Sequence, residues 1–348
     1  MSKKEGKQKR STAQKLVMIL IGLFFVYALM ANYGRLVEAY DVLKGVDTKY
    51  IILLPLVQLV SYLWIAGYYK TMFGIFEKDV KYWDAYRMTA GLYFVEQILP
   101  SGGASGIAYM AYGLKDKAST SLTTLVQLGR YGFNHLAYTF MVILGVFWSL
   151  QLQSSRVTLF GSVIAVGVLI TAVFEFFIVL SGDSKINKLV EKVSDIVNWF
   201  GKKILRRPKE LMDSKKLISS LKDFYDGTNK MKENKMQFLN PFLIMSLSAA
   251  SQIAVVYFSF VALGAQTNLG IIIFAFTFAN FFGVLSVIPG DVGVHEGAMI
   301  SALTIMEVDF SVATAATLIY RVFNKFIMVA IGFFFYSHFL KPSSETRV

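Results

Sequence analysis

Charge and glycine stand together inside an otherwise apolar region at Val287–Ala298, VIPGDVGVHEGA. The stretch carries Asp291, His295 and Glu296, side chains that balance cations or exchange protons. Gly290 and Gly293 lie among them, and glycine lets a backbone come close to a ligand. An earlier stretch, Ile98–Ala108, reads ILPSGGASGIA and has the same order: an apolar run, Pro, Gly, then a second apolar run. Each stretch is followed by an arginine within the next hydrophobic segment. Arg130 comes 30 residues after Pro100, and Arg321 comes 32 residues after Pro289. The pair reads as one device used twice.

An arginine deep in an apolar helix costs several kcal/mol unless it is paired or faces water. Lys325 lies four residues after Arg321 and shares its helical face; Asn134 stands in the same relation to Arg130. Two roles are open to the arginines. They can be structural partners, Arg130 for Glu96 and Arg321 for Glu296 or Asp291. They can also bind the anionic group of a substrate, a carboxylate holding the guanidinium until a phosphate displaces it. A half-helix that starts at SGGASG or GDVG aims its free N–H groups and positive end at the same place. Ser101, Gly102 and Gly103 at the first tip, with Gly290 and Gly293 at the second, are therefore candidate substrate contacts beside Arg130, Arg321 and Lys325. Ser101, Ser105 and Asp291 could equally be helix caps. Glu96, Asp291, His295 and Glu296 are candidate counter-charges or proton carriers.

The elements that must position these residues are membrane helices. The chain of 348 residues is 55% hydrophobic, with mean hydropathy +0.52. Its repeated apolar runs of ~20 residues mark bilayer spans. They are Leu16–Ala31, Tyr50–Tyr69, Ala85–Leu99, Leu122–Leu150, Val157–Leu180, Phe238–Leu263, Leu269–Ile288 and Ala313–Leu340. Cysteine is absent, so disulfides, thiol nucleophiles and Cys-based metal sites are excluded. The three histidines, His135, His295 and His338, are far apart in the chain. No metal, cofactor or catalytic residue is expected. The net charge of +12 is concentrated beside spans rather than spread over a nucleic-acid surface. Six of the first fifteen residues are Lys or Arg, and residues 185–235 hold fourteen basic residues against seven acidic ones. That pattern fits positive-inside topology and attraction to anionic lipid.

Charge placement also sets the topology. Residues 1–13 form a basic cytoplasmic tail. The single membrane domain covers 14–340, with a first half 14–181, a cytoplasmic basic amphipathic loop 182–236 and a second half 237–340. A cytoplasmic tail, 341–348, ends the chain. The second helix returns near Lys70, and 70–84 is a cytoplasmic connection. The chain is then inside at 84 and inside again at 118, so the stretch between enters, turns at Pro100–Gly106 and leaves on the same side. Residues 269–308 form the matching hairpin from the outside. The expected fold is an all-α polytopic membrane protein with about six full transmembrane helices and two re-entrant helical hairpins in an inverted repeat. Ordinary interfacial loops at both Pro-Gly stretches are the alternative. The expected location is the plasma membrane, with both termini cytoplasmic. The expected partners are a membrane phospholipid substrate and the anionic lipid surface beneath 182–236, with a homo-oligomer also open.

At these residues the chain resembles a known family. Pro289–Glu296, a Pro-Gly-x-x-Gly-x-x-Glu pattern, with Arg321 and a closing helix after it, is similar to the membrane region of lysylphosphatidylglycerol synthases, which is also the flippase domain of multiple peptide resistance factors. LPSGGASG followed by Arg130 resembles the earlier half of that region. The likeness runs from about residue 14 to 340. Asp291 stands where Gly is common in the family, and His295 where Arg is common. The resemblance implies movement of an anionic or aminoacylated phospholipid, or a lipid-linked molecule, between leaflets. The family is also tied to antibiotic resistance. A second reading is the family's enzymatic one, lysyl transfer from lysyl-tRNA to phosphatidylglycerol. The chain ends at Val348 without the soluble aminoacyltransferase domain that this reaction needs. A third reading is a small-anion secondary transporter.

Overall fold

The computed structural model describes residues 40–41, 43–98, 104–115, 117–180, 191–192, 194–195, 198, 235–286 and 289–339. The expectations for residues 1–13, for Leu16–Ala31, for nearly all of 182–236 and for 341–348 lie outside the described residues, as does the first tip with Ser101, Gly102 and Gly103. Among the described residues every regular element is helical. α1 spans Thr48–Ile75, α2 Tyr82–Ile98, α3 Ala104–Gly113, α4 Thr120–Ser149 and α5 Ser155–Leu180. After the basic region come α6 (Leu239–Ala262), α7 (Leu269–Leu285), α8 (Val294–Ile305), α9 (Phe310–Arg321) and α10 (Ile327–Phe339).

Polar side chains start several of these helices, as backbone donors left free at an N-terminus require. Asp47 accepts from the Lys49 N–H, Ser119 from Leu122, Asn268 from Gly270 and Asp309 from Ser311 and Val312. Four stretches are long and apolar enough to cross a membrane: Thr48–Ile75, Ser155–Val173, Met236–Ala262 and Phe310–Tyr336. α4 is longer still, at 30 residues, but Gln127, Arg130, Asn134 and His135 lower its hydropathy. α1 continues to Ile75, so Lys70 lies within the helix and the connection to α2 is shorter than the charge pattern suggests. Thr71–Ile75 carries no helix breaker besides Gly74, and Lys70 stays exposed on the helix surface.

α2 and α3 pack on each other, with Gly106 against Leu92 and Glu96, and Gly91 against Tyr109. Contact partners that rise on one helix as they fall on the other make the pair antiparallel. α7 and α8 pair likewise, Gly283 meeting Asp291 and Phe276 meeting His295. At ~1.5 Å per residue, α3 and α8 are too short to cross a ~30 Å hydrocarbon core. The most extensive packing joins α1 to α6 and α2 to α10, and α4 packs along α7. Leu54, Tyr68, Tyr69, Phe73, Phe260, Phe274 and Phe276 fill the centre. α5 turns Leu159, Val163, Val166, Ile170 and Val173 outward, as a lipid-facing helix does.

Candidate functional site

Arg130 lies on α4, eleven positions into the helix, and is 6% exposed. Its Nη2 donates to both oxygens of Glu96 on α2, at 2.9 and 3.1 Å. Its Nη1 donates to the Tyr93 hydroxyl at 3.0 Å. The guanidinium also sits over the rings of Tyr131 and Tyr93, 4.7 and 5.3 Å from their centroids, a favourable placement for a desolvated cation. Glu96 is held further by the Gln127 amide and the Tyr131 hydroxyl, each 2.9 Å from Oε1. Among the described residues Asn134 makes none of this cluster's hydrogen bonds; it lies beside Tyr138, one turn on. His135 meets the Thr171 hydroxyl at 2.9 Å and ties α4 to α5.

The second cluster is built at the turn between α7 and α8. Gly290, Asp291 and Gly293 all have positive φ, at 65°, 54° and 84°. Glycine takes that conformation freely, and aspartate is among the few other residues that accept it. The turn lets Glu296, in the first turn of α8, reach back with Oε2 to the Gly293 N–H at 2.7 Å. Its Oε1 accepts from Arg321 Nε. Arg321 Nη2 donates to Asp291 Oδ1 at 2.7 Å and to the Gly290 carbonyl at 3.1 Å. Lys325 Nζ lies 3.3 Å from the same Asp291 oxygen. A π-helical turn, Val322–Phe326, follows Arg321 directly and joins α9 to α10. It turns Asn324 toward Gln58 of α1, at 3.5 Å, while Arg321 and Lys325 both address Asp291. Such one-turn π segments recur at functional sites.

The two clusters meet. The Gly290 Cα approaches Gln97, the residue after Glu96, so closely that a Cβ there would stand 2.9 Å from Gln97 Oε1. Rings join the helices around them: Tyr62 of α1 meets Tyr93 of α2 edge-on at 4.7 Å, and Tyr138 of α4 and Tyr320 of α9 both meet Phe276 of α7, at 5.7 and 5.8 Å. Each buried guanidinium keeps one donor uncommitted. Arg130 Nε and Arg321 Nη1 are buried and have no hydrogen-bond partner among the described residues. Sequence reasoning missed Tyr93, Gln127, Tyr131, Gln58 and Asn324. Helical spacing carried the signal for some of them, since Tyr93 is three residues before Glu96 and Gln127 three before Arg130. Gln58 joins only through tertiary packing. No group of three metal-ligating side chains occurs among the described residues.

The chain matches known proteins along most of its length. A UPF0104 membrane protein of Methanothermobacter thermautotrophicus is 22% identical over 318 residues, 91% of this chain and 93% of that protein. A UPF0104 membrane protein of Methanocaldococcus jannaschii is 21% identical over 336 residues, 93% of this chain and 95% of that protein. Spanning-length apolar helices and these relatives make it a multi-pass membrane protein. Residues 15–332, which hold both arginine clusters, match the model of the lysylphosphatidylglycerol synthase TM region, and the chain belongs to that family.

Proposed function

We propose that the protein is a lipid flippase that moves a phospholipid or lipid-linked molecule between leaflets, binding its phosphate at the paired arginine clusters. One observation carries this reading. Two guanidiniums, deep in their helices, each hold a carboxylate and each retain a buried N–H without an acceptor among the described residues. A buried donor without a partner costs about 1–3 kcal/mol. A phosphate oxygen relieves that cost at both places and suits the planar donor fork of arginine.

The packing supports a two-fold repeat behind the site. α1 leads into the α2–α3 pair and α4; α6 leads into α7–α8 and the α9–α10 helix. α1 and α6 pack on each other, α4 lies along α7, the first limb of the second hairpin, and α10, which continues α9 past the π turn, lies along α2, the first limb of the first. In this reading the hairpins are re-entrant, enter from opposite faces and meet near the midplane. The membrane is the plasma membrane and both termini are cytoplasmic. The basic segment 182–236 lies on anionic lipid. Among the described residues the clusters offer ion pairs and N–H donors rather than a catalytic constellation, so lysyl transfer is the weaker reading.

The test uses proteoliposomes with headgroup-labelled phosphatidylglycerol and a membrane-impermeant quencher. The intact protein exchanges the label between leaflets, and Arg130→Met and Arg321→Met each reduce exchange to the protein-free rate. Given lysyl-tRNA and phosphatidylglycerol, the protein forms no lysyl-lipid. Robust lysyl-lipid formation, or full exchange by both Met variants, would refute the assignment.

A further inference from the structure

The charges around the second tip cancel. Arg321 and Lys325 face Asp291 and Glu296 at hydrogen-bonding or ion-pair distance. His295 stands inside this balanced set and is 2% exposed. Neither of its ring nitrogens has a hydrogen-bond partner among the described residues. Nδ1 lies 3.8 Å from Asp291 Oδ2, too far for a hydrogen bond. The ring stacks on Tyr320, centroids 5.8 Å apart and 26° between planes, and meets Phe276 edge-on at 6.5 Å. Every packed element contributes to its surroundings. Asp291 and Glu296 come from its own turn and helix, Tyr320 and Arg321 from α9, and Lys325 from the π turn. Among the described residues α7 offers Phe276 and the backbone at Gly283, which do not titrate, and α5, which also touches α8, carries Arg156, paired with Glu307.

Net charge buried at this depth is expensive. A phosphodiester anion entering alone would leave the cluster negative, and a proton entering alone would leave it positive. Entering together, they keep it balanced. The carboxylates are poor carriers for that proton. Glu296 already accepts from Gly293 and Arg321, and Asp291 from Arg321 with Lys325 beside it. Protonating either would remove the negative charge that balances Arg321 and Lys325, whereas protonating His295 neutralises no ion-pair partner. We infer that the anion binds together with a proton taken up by His295, and that the two are released together. The inference rests on the anion-site reading above and adds a coupled ion to it.

Proton uptake is measured by titrating purified full-length protein calorimetrically, at one pH, in buffers of different ionisation enthalpy. The ligands are dioctanoyl-phosphatidylglycerol and dimethyl phosphate, a phosphodiester without acyl chains. Neither ligand titrates near neutrality, so the buffer dependence reports protons gained by the protein. About one proton should enter per anion bound. Affinity should fall as pH rises. In His295→Gln both the uptake and the pH dependence should vanish while the anion still binds; His295→Asn is the second uncharged variant should Gln not fold. Binding without uptake in the unmodified protein overturns the inference and leaves the anion site standing. Uptake that persists in the His295 variants also overturns it. Failure of both ligands to bind refutes the anion site itself. Binding of dimethyl phosphate with the strength of the lipid would assign the coupled site to a soluble anion instead of a lipid.

Discussion

Asp291 carries two burdens at once. Its backbone is left-handed, with φ of 54°, and its carboxylate anchors Arg321 and Lys325. These can be separated. Asp291→Gly and Asp291→Ala both delete the carboxylate, but only glycine accepts the turn without strain. The Gly variant should therefore be the more stable by ~1 kcal/mol, read from thermal or denaturant unfolding in detergent. Equal stabilities would mean that the turn relaxes in solution. Arg130 poses a different question. Its side chain and that of Glu96 are 7% and 15% exposed, so Arg130→Met strands a buried carboxylate and should cost ~3–5 kcal/mol. Adding Glu96→Gln should recover most of that stability and none of the lipid exchange. An active double variant would reduce Arg130 to a partner for Glu96.

At the scale of elements, close packing sets the hairpins against the helices beside them. Gly332 on α10 lies against α2, where an added Cβ would overlap the Ala90 carbonyl and come within 2.7 Å of the Phe94 Cβ. The obstruction is largely backbone, so it cannot swing aside. Gly332→Ala should destabilise the protein by ~1–3 kcal/mol. Gly167→Ala is the control, because nothing lies within 4 Å of a Cβ there. A neutral Gly332→Ala would show that α10 slides freely on α2. The π turn after Arg321 works at the same scale. Across it Arg321 and Lys325, four residues apart, address one carboxylate while Asn324 reaches Gln58 on α1.

For the whole molecule, the decisive matter is whether α2 crosses the bilayer. The chain has no cysteine, so single cysteines can be placed without background. Lys78→Cys precedes α2, and Ile98→Cys ends it at a half-exposed position. With α2–α3 re-entrant, position 78 labels with an impermeant thiol reagent from one side only. Position 98 labels slowly from either side. Rapid labelling of position 98 from the side opposite 78 would make α2 a full crossing and dissolve the repeat.

Local chemistry wrote much of this into the sequence. Apolar runs of bilayer length announced the helices, because the hydrocarbon core imposes a length and a composition on anything that spans it. Pro and Gly marked the turn at 289–293, because few other residues accept its backbone. Two arginines in apolar helices announced that partners must exist, because their burial alone is too costly. The sequence offered Glu96 for Arg130 and Glu296 or Asp291 for Arg321; the tertiary structure decided that Arg321 takes both at once. Arg130 takes Glu96 from the limb before its tip, whereas Arg321 takes Asp291 and Glu296 from the turn and the limb after its own; matched spacing in the chain does not encode that difference. Gln97 against Gly290, and Gln58 against Asn324, join elements separated by long stretches of chain. Such contacts follow from how helices pack in three dimensions, which no periodicity along one strand of sequence records. The imidazole of His295, without a hydrogen-bond partner among the described residues, belongs to the same class: its position was legible, but its surroundings emerged only once α7, α8 and α9 had closed around it.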